Sequence, residues 1–520
     1  MVKTEPRAAP ELAPRPPVRR ATWGLVAAAA GAGLLIAASV PPMGFWPLGV
    51  LGLAALVALL RGRPARTRAL VGFVGGLGLY AVTISWFAEF NVIGAIASMA
   101  AEAAFMAAAA WATPPWRGRR AGFVGAVVLQ DWVRTYVPFG GVPLGGVPLG
   151  QAAGPLVPAA RLGGQLGLTG VTAMAAVALE LLVATAAGRG PGARTWGRAG
   201  ELAAMFAVVV ALPVAGVLTP AGRPVGTLRV ALVQGGGRRG LRAVETSAQR
   251  AYDAQVAETA QVRGPVDLIV WPEDVVALPG PLAGSPEAAQ LGAIARAHGA
   301  PLLAGVTEDV GADKFRNAIV EWSAGGAVVG RYDKVHRVPF GEYIPLRSLV
   351  RHVVSLDAVP RDAIAGRGSG ALATPAGPVA ITISYEVFFP DRARSAVRAG
   401  GQVLLVPTNT ASYTTTQVSA AELAAMRVRA WSTGRDVALV APTGWSAVVD
   451  SHGRVRQRSR LDVPAVLEAT LTRRTARTPW VRWGDLPTLV AAALLASGGW
   501  ALARRRPGPP TAVGGGRGTS

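Results

Sequence analysis

Residues 332–345 carry the stretch that decides the predicted fold, Tyr-Asp-Lys-Val-His-Arg-Val-Pro-Phe-Gly-Glu-Tyr-Ile-Pro. Two other clusters accompany it: 270–273, Val-Trp-Pro-Glu, and 381–386, Ile-Thr-Ile-Ser-Tyr-Glu. Each of the three comes just after a short β-type run, where α/β folds place functional groups. Taken singly, each has a simpler explanation: a Glu in a cap or salt bridge, a Lys in a solvated charge cluster, or a Ser without a role.

The segment around these clusters, residues 226–476, alternates strands and helices. The β-type runs include Leu228–Gln234, Asp267–Trp271, Pro301–Val306, Val379–Ser384 and Val403–Pro407. Helix-like stretches at Glu245–Val262 and Pro286–His298 lie between several of them. This alternation favours an α/β domain, and about 250 residues are enough for one such core.

The rest of the chain has the composition of a membrane protein. Hydrophobic residues make up 51% of the 520 residues and charged residues only 16%, compared with about 25% charged residues in soluble proteins. Eight apolar runs lie near the ~20 residues that a helix needs to cross a bilayer. They are 23–40, 46–60, 69–88, 92–112, 121–137, 165–187, 200–218 and 486–503.

The charges of the loops predict the orientation in the membrane. Arginine is concentrated in the alternate loops 61–68, 117–120 and 189–198, whereas 41–46 and 89–91 contain no Lys or Arg. Because Lys and Arg mark cytoplasmic loops, both termini are predicted to lie in the cytoplasm and the α/β domain outside it. The predicted organisation is a disordered cytoplasmic tail (1–20), a seven-span region (21–222), an extracytoplasmic domain (226–476), a C-terminal span (485–503) and a cytoplasmic tail (504–520).

Composition also excludes several classes of function. The net charge of +22 lies largely beside hydrophobic runs, and no nucleic-acid-binding module accompanies it, so we predict no nucleic-acid partner. The four histidines lack metal-site spacing, so we predict no metal and no cofactor. The chain has no cysteine, which excludes disulfides, thiolate metal sites and a thiol nucleophile.

Taken together, the three clusters resemble the nitrilase superfamily, whose catalytic centre is Glu, Lys and Cys. The string at 332–345 is similar to the apolipoprotein N-acyltransferase branch of that superfamily. Further strings that resemble this branch are Pro-Thr-Asn at 407–409, Met-Arg-x-Arg-Ala at 426–430, Gly-Arg at 434–435, Thr-Gly at 443–444, Ser-Ala-Val-Val-Asp at 446–450, and Trp-x-Arg at 132–134. The resemblance covers the whole outer domain and implies an α-β-β-α sandwich attached to a bundle of about eight transmembrane helices in a bacterial cell membrane.

The resemblance also implies a reaction and a role for each site residue. The enzyme would take an acyl chain from a membrane phospholipid and pass it to the α-amino group of a diacylglyceryl-cysteine on a lipoprotein. Glu273 would act as general base, Lys334 would stabilise the tetrahedral oxyanion, and residue 384 would carry the acyl group. Three further residues match supporting positions of the family: Glu342, Tyr385 and Glu386. An alternative role for Lys334 is an ion pair with Glu273 that only holds the loop.

Position 384 departs from the family's pattern, because Ser384 stands where the family has cysteine. A hydroxyl needs a stronger positioned base than a thiol, and Glu273 is a weak base for serine unless burial raises its pKa. Three functions therefore remain open. They are a serine-dependent lipoprotein N-acyltransferase, a non-catalytic homologue that binds lipid or lipoprotein as the partner of an active cysteine-containing enzyme, and a membrane-anchored hydrolase of a small amide.

An ionisable residue near the middle of the fourth apolar run, Glu102, is also unusual. Such residues are costly inside a membrane and are functional by default. Pairing with Arg134 or with another span is an equally good explanation, so a substrate role and a pairing role both remain open.

Overall fold

The structure is a computed structural model, and it describes residues 18–89, 91–188, 195–236, 247–352, 359–410 and 416–504. Most of the two predicted cytoplasmic tails lies outside these ranges. The helices before the α/β domain are α1 Val18–Ser39, α2 Trp46–Leu59, α3 Ala65–Thr83, α4 Val92–Ala112, α5 Arg119–Tyr136, α6 Val147–Gly150, α7 Ala160–Ala186 and α8 Thr195–Leu218.

The second half of the chain supplies all of the described strands. Its elements are β1 Arg223–Gln234, α9 Ala248–Thr259, β2 Leu268–Val270, β3 Val276–Leu278, α10 Pro286–His298, β4 Leu302–Val310, β5 Lys314–Trp322, β6 Val328–Asp333, α11 Arg347–Val350, β7 Asp362–Ala363, β8 Ala371–Leu372, β9 Val379–Ile381, α12 Pro390–Arg398, β10 Leu404–Pro407, α13 Thr416–Thr433, β11 Val437–Val440, β12 Ala447–Val449, β13 Val455–Arg458, β14 Ala465–Thr475, α14 Pro479–Trp483 and α15 Leu486–Arg504.

All eight predicted apolar runs lie in helices, but not all of these helices are equally suited to a membrane. Among the described residues, α1, α4, α7, α8 and α15 contain segments long and apolar enough to cross one. Helix α2 is apolar but has only 14 residues, and α5 carries two arginines at its start and an Asp and an Arg near its end. Eight membrane crossings therefore stay a prediction.

The strands form two sheets. The first has eight strands, with the order β14-β1-β2-β4-β5-β6, while β3 pairs with β4 and β7 with β5. The second has six strands in the order β13-β12-β11-β10-β9-β8. The central strands β1, β2 and β4 run parallel in the first sheet, as do β9, β10 and β11 in the second. The ends of neighbouring strands therefore lie at the same edge of each sheet.

Alternation along the strands produces four layers. In β1, Val230 packs into the core between the two sheets, together with Ile381 and Leu405 of the second sheet. Its neighbour Ala231 points to the other face, where it packs in a cluster with Leu291 of α10. Because successive strand residues face opposite sides, both faces of each sheet are covered, which confirms the predicted α-β-β-α sandwich.

The outer helices begin and end where local chemistry requires. Helix α10 begins after Ser285, whose hydroxyl accepts a hydrogen bond from the Ala288 amide, and Pro286 takes its first position. It ends at Gly299, which adopts a left-handed conformation with φ of 61°. A serine N-cap, an N1 proline and a C-terminal glycine are strong helix boundaries, and the predicted helix Pro286–His298 has the same bounds.

The layer formed by α12 and α13 packs against the membrane helices, and one apolar cluster runs from α7 into this layer. Arg161, at the start of α7, is fully buried here and donates to the main-chain carbonyls of Trp431, Ser451 and Thr219. Arg429 of α13 donates in return to the Gln165 side chain of α7. These bonds fix the sandwich to the helical bundle.

The Glu102 carboxylate is paired within the bundle. It accepts a hydrogen bond from the Arg134 guanidinium at 2.8 Å, and both side chains are almost fully buried. Arg134 also contacts Asp131 and the carbonyls of Val142 and Leu144. Of the two explanations for Glu102, the structure therefore favours pairing with Arg134.

Candidate functional site

The first part of the site is an ion cluster on the first sheet. Glu273 follows β2 and Lys334 follows β6, and the Lys334 ammonium lies 2.7 Å from Glu273 Oε1 and 2.9 Å from Glu342 Oε1. The Asn317 side-chain amide, from β5, donates to the same two oxygens at 2.8 and 2.9 Å. Two donors thus hold two carboxylates side by side, in the grouping of residues that the sequence predicted for 273, 334 and 342.

The backbone on both sides of Glu273 packs closely against a glycine of the neighbouring strand. At Gly305 of β4, a Cβ atom would lie 2.3 Å from the Pro272 carbonyl oxygen and 2.5 Å from the Cα of Glu273. Backbone atoms cannot yield at such distances without moving the chain. The segment that carries Glu273 can therefore lie against the sheet only because residue 305 has no side chain.

Burial sets the protonation behaviour of the cluster. Burial raises the pKa of Glu273, as does the Glu342 charge, while the Lys334 charge and the hydrogen bonds from Lys334 and Asn317 oppose the rise; the net direction is upward. Burial would lower the pKa of Lys334, but Glu273 and Glu342 outweigh it and hold that pKa above its ordinary value. Lys334 therefore stays charged, and Glu273 is a stronger base than an exposed carboxylate.

Ser384 lies on the second sheet, in the turn after β9. It begins the short 3-10 helix Ser384–Phe388 and has a φ of 49°, an uncommon conformation for a residue with a side chain. The side chain is half-buried, and its Oγ lies 3.1 Å from Thr408 Oγ1. Thr408 follows β10, which runs parallel to β9, so the two hydroxyls meet at the common edge of these strands.

Glu386 connects the Ser384 turn to the Lys334 loop. Its fully buried carboxylate accepts hydrogen bonds from the main-chain amides of Ile383, Val335 and His336 and from the Tyr332 hydroxyl, at 2.7–3.1 Å. These groups come from both sheets. Glu386 therefore fixes the distance between the two halves of the site rather than facing a substrate.

The two halves of the site face one another without direct hydrogen bonds. Within the part of the chain that the structure describes, no hydrogen bond joins Ser384 to Glu273 or Lys334. The Asn409 amide reaches the carboxylate of Asp274, next to Glu273, at 3.4 Å. The charges of Glu273 and Lys334 also act on buried Glu422, which is bonded to Thr408. These links place Ser384 on the same side of the domain as the ion cluster.

Two tyrosines attach the site to the loop after α5. The Tyr385 hydroxyl donates to the Gly141 carbonyl at 2.9 Å, and the Tyr343 hydroxyl donates to the Phe139 carbonyl at 2.6 Å. The ring of Phe139 meets the ring of Phe340 edge to face. The site is therefore held at the side of the sandwich that faces the helical bundle.

Two polar residues of this site were not singled out from the sequence, Asn317 and Glu422. Thr408 was noted only as part of the Pro-Thr-Asn string at 407–409, without a role; it follows a β-type run, as Ser384 does. Asn317 lies within a strand and Glu422 within a helix, and strand or helix periodicity says nothing of what faces them across the fold.

Comparison with known proteins agrees with this architecture. Residues 229–478 match the carbon-nitrogen hydrolase family, and residues 32–178 match the apolipoprotein N-acyltransferase N-terminal domain. The apolipoprotein N-acyltransferase of Azotobacter vinelandii is 32% identical, with 95% of this chain and 98% of that protein covered. The apolipoprotein N-acyltransferase of Mycolicibacterium smegmatis is 31% identical, with 89% of this chain and 82% of that protein covered.

Among solved structures, Saccharomyces cerevisiae Nit3, a member of branch 10 of the nitrilase superfamily, is 20% identical; 48% of this chain and 91% of Nit3 are covered, with a TM-score of 0.37. The family of this chain is assigned from the two apolipoprotein N-acyltransferases, and not from Nit3, because those two relatives align with nearly the whole chain, both its helical bundle and its sandwich. On that basis the chain belongs to the apolipoprotein N-acyltransferase family.

Proposed function

We propose that this protein N-acylates lipoproteins, with a membrane phospholipid as acyl donor and the amino group of a diacylglyceryl-cysteine as acceptor. The proposal rests mainly on the ion cluster of Glu273, Lys334 and Glu342. The hydroxyl of Ser384 lies near this cluster, in a turn where its backbone has a positive φ. Among the three residues that the family's centre of Glu, Lys and Cys predicts, only the nucleophile differs, with Ser384 in the place of cysteine.

The reaction has two steps with a common acyl-enzyme. In the first, Ser384 Oγ bonds to the carbonyl carbon of the phospholipid ester, the bond from that carbon to the glycerol oxygen breaks, and the Ser384 proton passes to the leaving oxygen. In the second, the acceptor amine bonds to the acyl carbon, the bond to Ser384 Oγ breaks, and an amine proton returns to Ser384. Covalent catalysis of this kind divides one difficult transfer into two easier ones.

The ion cluster supplies the remaining chemistry. Lys334 has three N–H donors, of which Glu273 and Glu342 take two, so the third can bind the oxyanion that forms in each step. Glu273 has a raised pKa because of its burial, which suits it to accept the proton of the attacking amine.

A lipid substrate also agrees with the surroundings of the site. On either side of Glu342 in the chain, the exposed side chains include Phe340, Leu346 and Leu349, and Phe139 lies against Phe340. Large apolar side chains exposed together mark interaction with apolar partners. We infer that a phospholipid chain enters along this rim, with the sandwich outside the cytoplasm and both termini inside.

The test uses the full-length protein in detergent micelles with acyl-labelled phospholipid and a synthetic diacylglyceryl-cysteine peptide. We expect N-acylated peptide and, without peptide, an acyl ester on the fragment that contains Ser384. Ser384→Ala should abolish both products, and Ser384→Cys should give a thioester that neutral hydroxylamine releases. Ser369→Ala, which changes an exposed serine, is the matched control.

Other results would favour the other functions. If neither the natural protein nor Ser384→Cys forms an acyl-enzyme, the protein is a non-catalytic homologue that binds lipid or lipoprotein. Release of ammonia from small amides, without acyl transfer, would identify a membrane-anchored hydrolase. Removing one member of a set that acts together costs several orders of magnitude, so a modest loss in Ser384→Ala would show that residue 384 is not the acyl carrier.

A further inference from the structure

The hydroxyl of Thr408 lies between two other oxygens. Its Oγ1 is 3.1 Å from Ser384 Oγ and 2.5 Å from Glu422 Oε1. Both Thr408 and Glu422 are almost fully buried, with exposed fractions of 0% and 2%. Ser384, Thr408 and Glu422 thus form an unbroken line of oxygens from the half-buried turn into the interior of the domain.

The number of protons decides which way these hydrogen bonds point. A hydroxyl has one proton to donate, and an ionised carboxylate can only accept. When Glu422 is ionised, Thr408 donates to it in the shorter bond, and Ser384 must then donate to Thr408. When Glu422 carries a proton, both bonds can reverse, so that Glu422 donates to Thr408 and Thr408 donates to Ser384.

The surroundings of Glu422 give it unusual basicity. Among the described residues, no Lys or Arg forms an ion pair with it, and its Oε2 atom has no hydrogen-bond partner. Burial raises the pKa of Glu422 to about 8, with a smaller upward contribution from Glu273, while the Thr408 hydrogen bond and the Lys334 charge oppose the rise. A carboxylate in this range is suited to proton transfer near neutral pH.

We propose that Glu422 and Thr408 form a proton relay that activates Ser384. As Ser384 Oγ attacks, its O–H bond breaks and the proton bonds to Thr408 Oγ1, while the original Thr408 proton leaves and bonds to Glu422 Oε1. As the bond from the acyl carbon to the glycerol oxygen breaks, the shift runs in reverse and Thr408 Oγ1 passes a proton to that leaving oxygen; in the second step a proton of the acceptor amine returns to Ser384 Oγ as the acyl group departs. Thr408 touches the reacting atom, whereas Glu422 acts through Thr408 and is a positioning residue; the inference rests on the proposed acyl transfer by Ser384.

This relay answers the difficulty that serine creates in this family. A thiol is already partly ionised near neutral pH, whereas a serine hydroxyl requires a positioned base. Glu273 Oε1 already accepts bonds from Lys334 and Asn317. Glu422 Oε1, by contrast, receives a bond from Thr408, whose hydroxyl also lies within hydrogen-bonding distance of Ser384 Oγ.

Two charged groups shift the pKa of Glu422, namely Glu273, which follows β2, and Lys334, which follows β6. The 3-10 helix that packs against α13 also carries Glu386, but its carboxylate is bonded to Tyr332 and to main-chain amides. On α7, Arg161 is bonded to main-chain carbonyls. The pH dependence of Ser384 activation should therefore follow Glu422, rising with pH through about 8 as Glu422 loses its proton.

The test measures the reaction of Ser384 with an alkyl phosphonofluoridate, which forms a bond between Oγ and phosphorus and releases fluoride. The labelling rate of the full-length protein in micelles is followed from pH 6 to pH 10. We expect Glu422→Gln and Thr408→Val to lower the rate by about 10²–10⁴-fold and to remove the rise near the pKa of Glu422. Thr408→Ser keeps a hydroxyl and should keep both the rate and the pH profile, and Glu287→Gln, an acid-to-amide change on the distant α10, is the matched control.

A purely structural role is distinguished in the Ser384→Cys background. Labelling of the thiol by iodoacetamide should change little in Ser384→Cys/Glu422→Gln, because a thiol does not need the relay, whereas a folding defect would lower both reactions together. An unchanged profile in Glu422→Gln, or no labelling of Ser384 at any pH, overturns the relay. Normal phosphonylation without any acyl transfer from phospholipid would overturn the proposed function and leave the relay in place.

Discussion

Replacing Glu386 should separate the two halves of the site at a cost in stability that the hydrogen bonds allow us to estimate. Glu386→Ala removes the acceptor of three main-chain amides and of the Tyr332 hydroxyl. The Ile383 amide and Tyr332 are buried, with exposed fractions of 0% and 3%, so water cannot readily replace the carboxylate there. Val335 and His336 are only partly buried, and their amides can recruit water.

Each buried polar group left without a partner costs about 1–3 kcal/mol. The Ile383 N–H and the Tyr332 O–H each lose their acceptor, although the Tyr332 oxygen keeps its bond from Arg392, so the expected loss in the free energy of unfolding is roughly 2–6 kcal/mol. For a domain of this size, about 1 kcal/mol shifts the melting temperature by ~2–4 °C, so we expect Glu386→Ala to lower it by roughly 4–24 °C. The acyl-transfer rate of the protein that is still folded should also fall, because Glu386 joins the Lys334 loop to the Ser384 turn.

The assay is thermal unfolding of the full-length protein in micelles, with activity measured well below the transition. Glu468→Ala is the matched control, since Glu468 also accepts two main-chain amides, from Arg263 and Gly264, but at an exposed position. We expect Glu468→Ala to have a small effect. Equal shifts for the two variants, or full activity in Glu386→Ala, would refute the view that Glu386 fixes the geometry of the site.

Three further outcomes follow from the structure. Lys334→Met should abolish acyl transfer and destabilise the domain by about 3–5 kcal/mol, because it leaves the carboxylates of the cluster without a cation. A melting temperature equal to that of the natural protein would contradict this. Gly305→Ala should lower acyl transfer by at least about 10²-fold by displacing Glu273, since a 1 Å misplacement can cost that much, whereas Gly280→Ala, at a position with open space around it, should be neutral in the same assay. A reporter enzyme that works only outside the cytoplasm should be active when inserted near Gly311, and a cytoplasmic reporter should be active at the C-terminus; the reverse pattern would contradict the predicted topology.

Much of the fold could be predicted because it follows from local chemistry. The serine cap, proline and glycine around α10 mark its ends, and alternating apolar residues mark the strands of a buried sandwich. That Glu273 and Lys334 lie near each other could also be predicted, because their clusters follow β-type runs and strand ends meet at a sheet edge, whereas Glu342 was assigned through the family resemblance. The resemblance to a known family then assigned them to one site.

Other parts depend on packing across the fold and could not be predicted. The predicted spans place Arg161 in the loop between the fifth and sixth apolar runs. In the structure it lies in the first turn of α7 and is bonded to main-chain carbonyls 270 and 290 residues later in the chain. Glu422 is one acid in an Ala-rich helix, and only the approach of β10 gives it a partner. Hydropathy and periodicity describe one segment at a time, so they do not show which polar side chain in one element meets another.

The number of positive and negative charges in the site relates the reactivity of Ser384 to the protonation of Glu422. Lys334 is the cation of the ion cluster, whereas Glu273 and Glu422 are buried carboxylates and Glu342 is a partly buried one. Three negative charges against one positive charge would be costly in this environment. A proton on one of them removes a negative charge, and among the described residues Glu422 is the carboxylate of the three that forms no ion pair; burial raises its pKa to about 8. A proton stored there lies two hydrogen bonds from Ser384, so the site begins to accept the serine proton only as Glu422 becomes ionised. The same carboxylate, Glu422, therefore determines both the net charge of the site and the reactivity of Ser384.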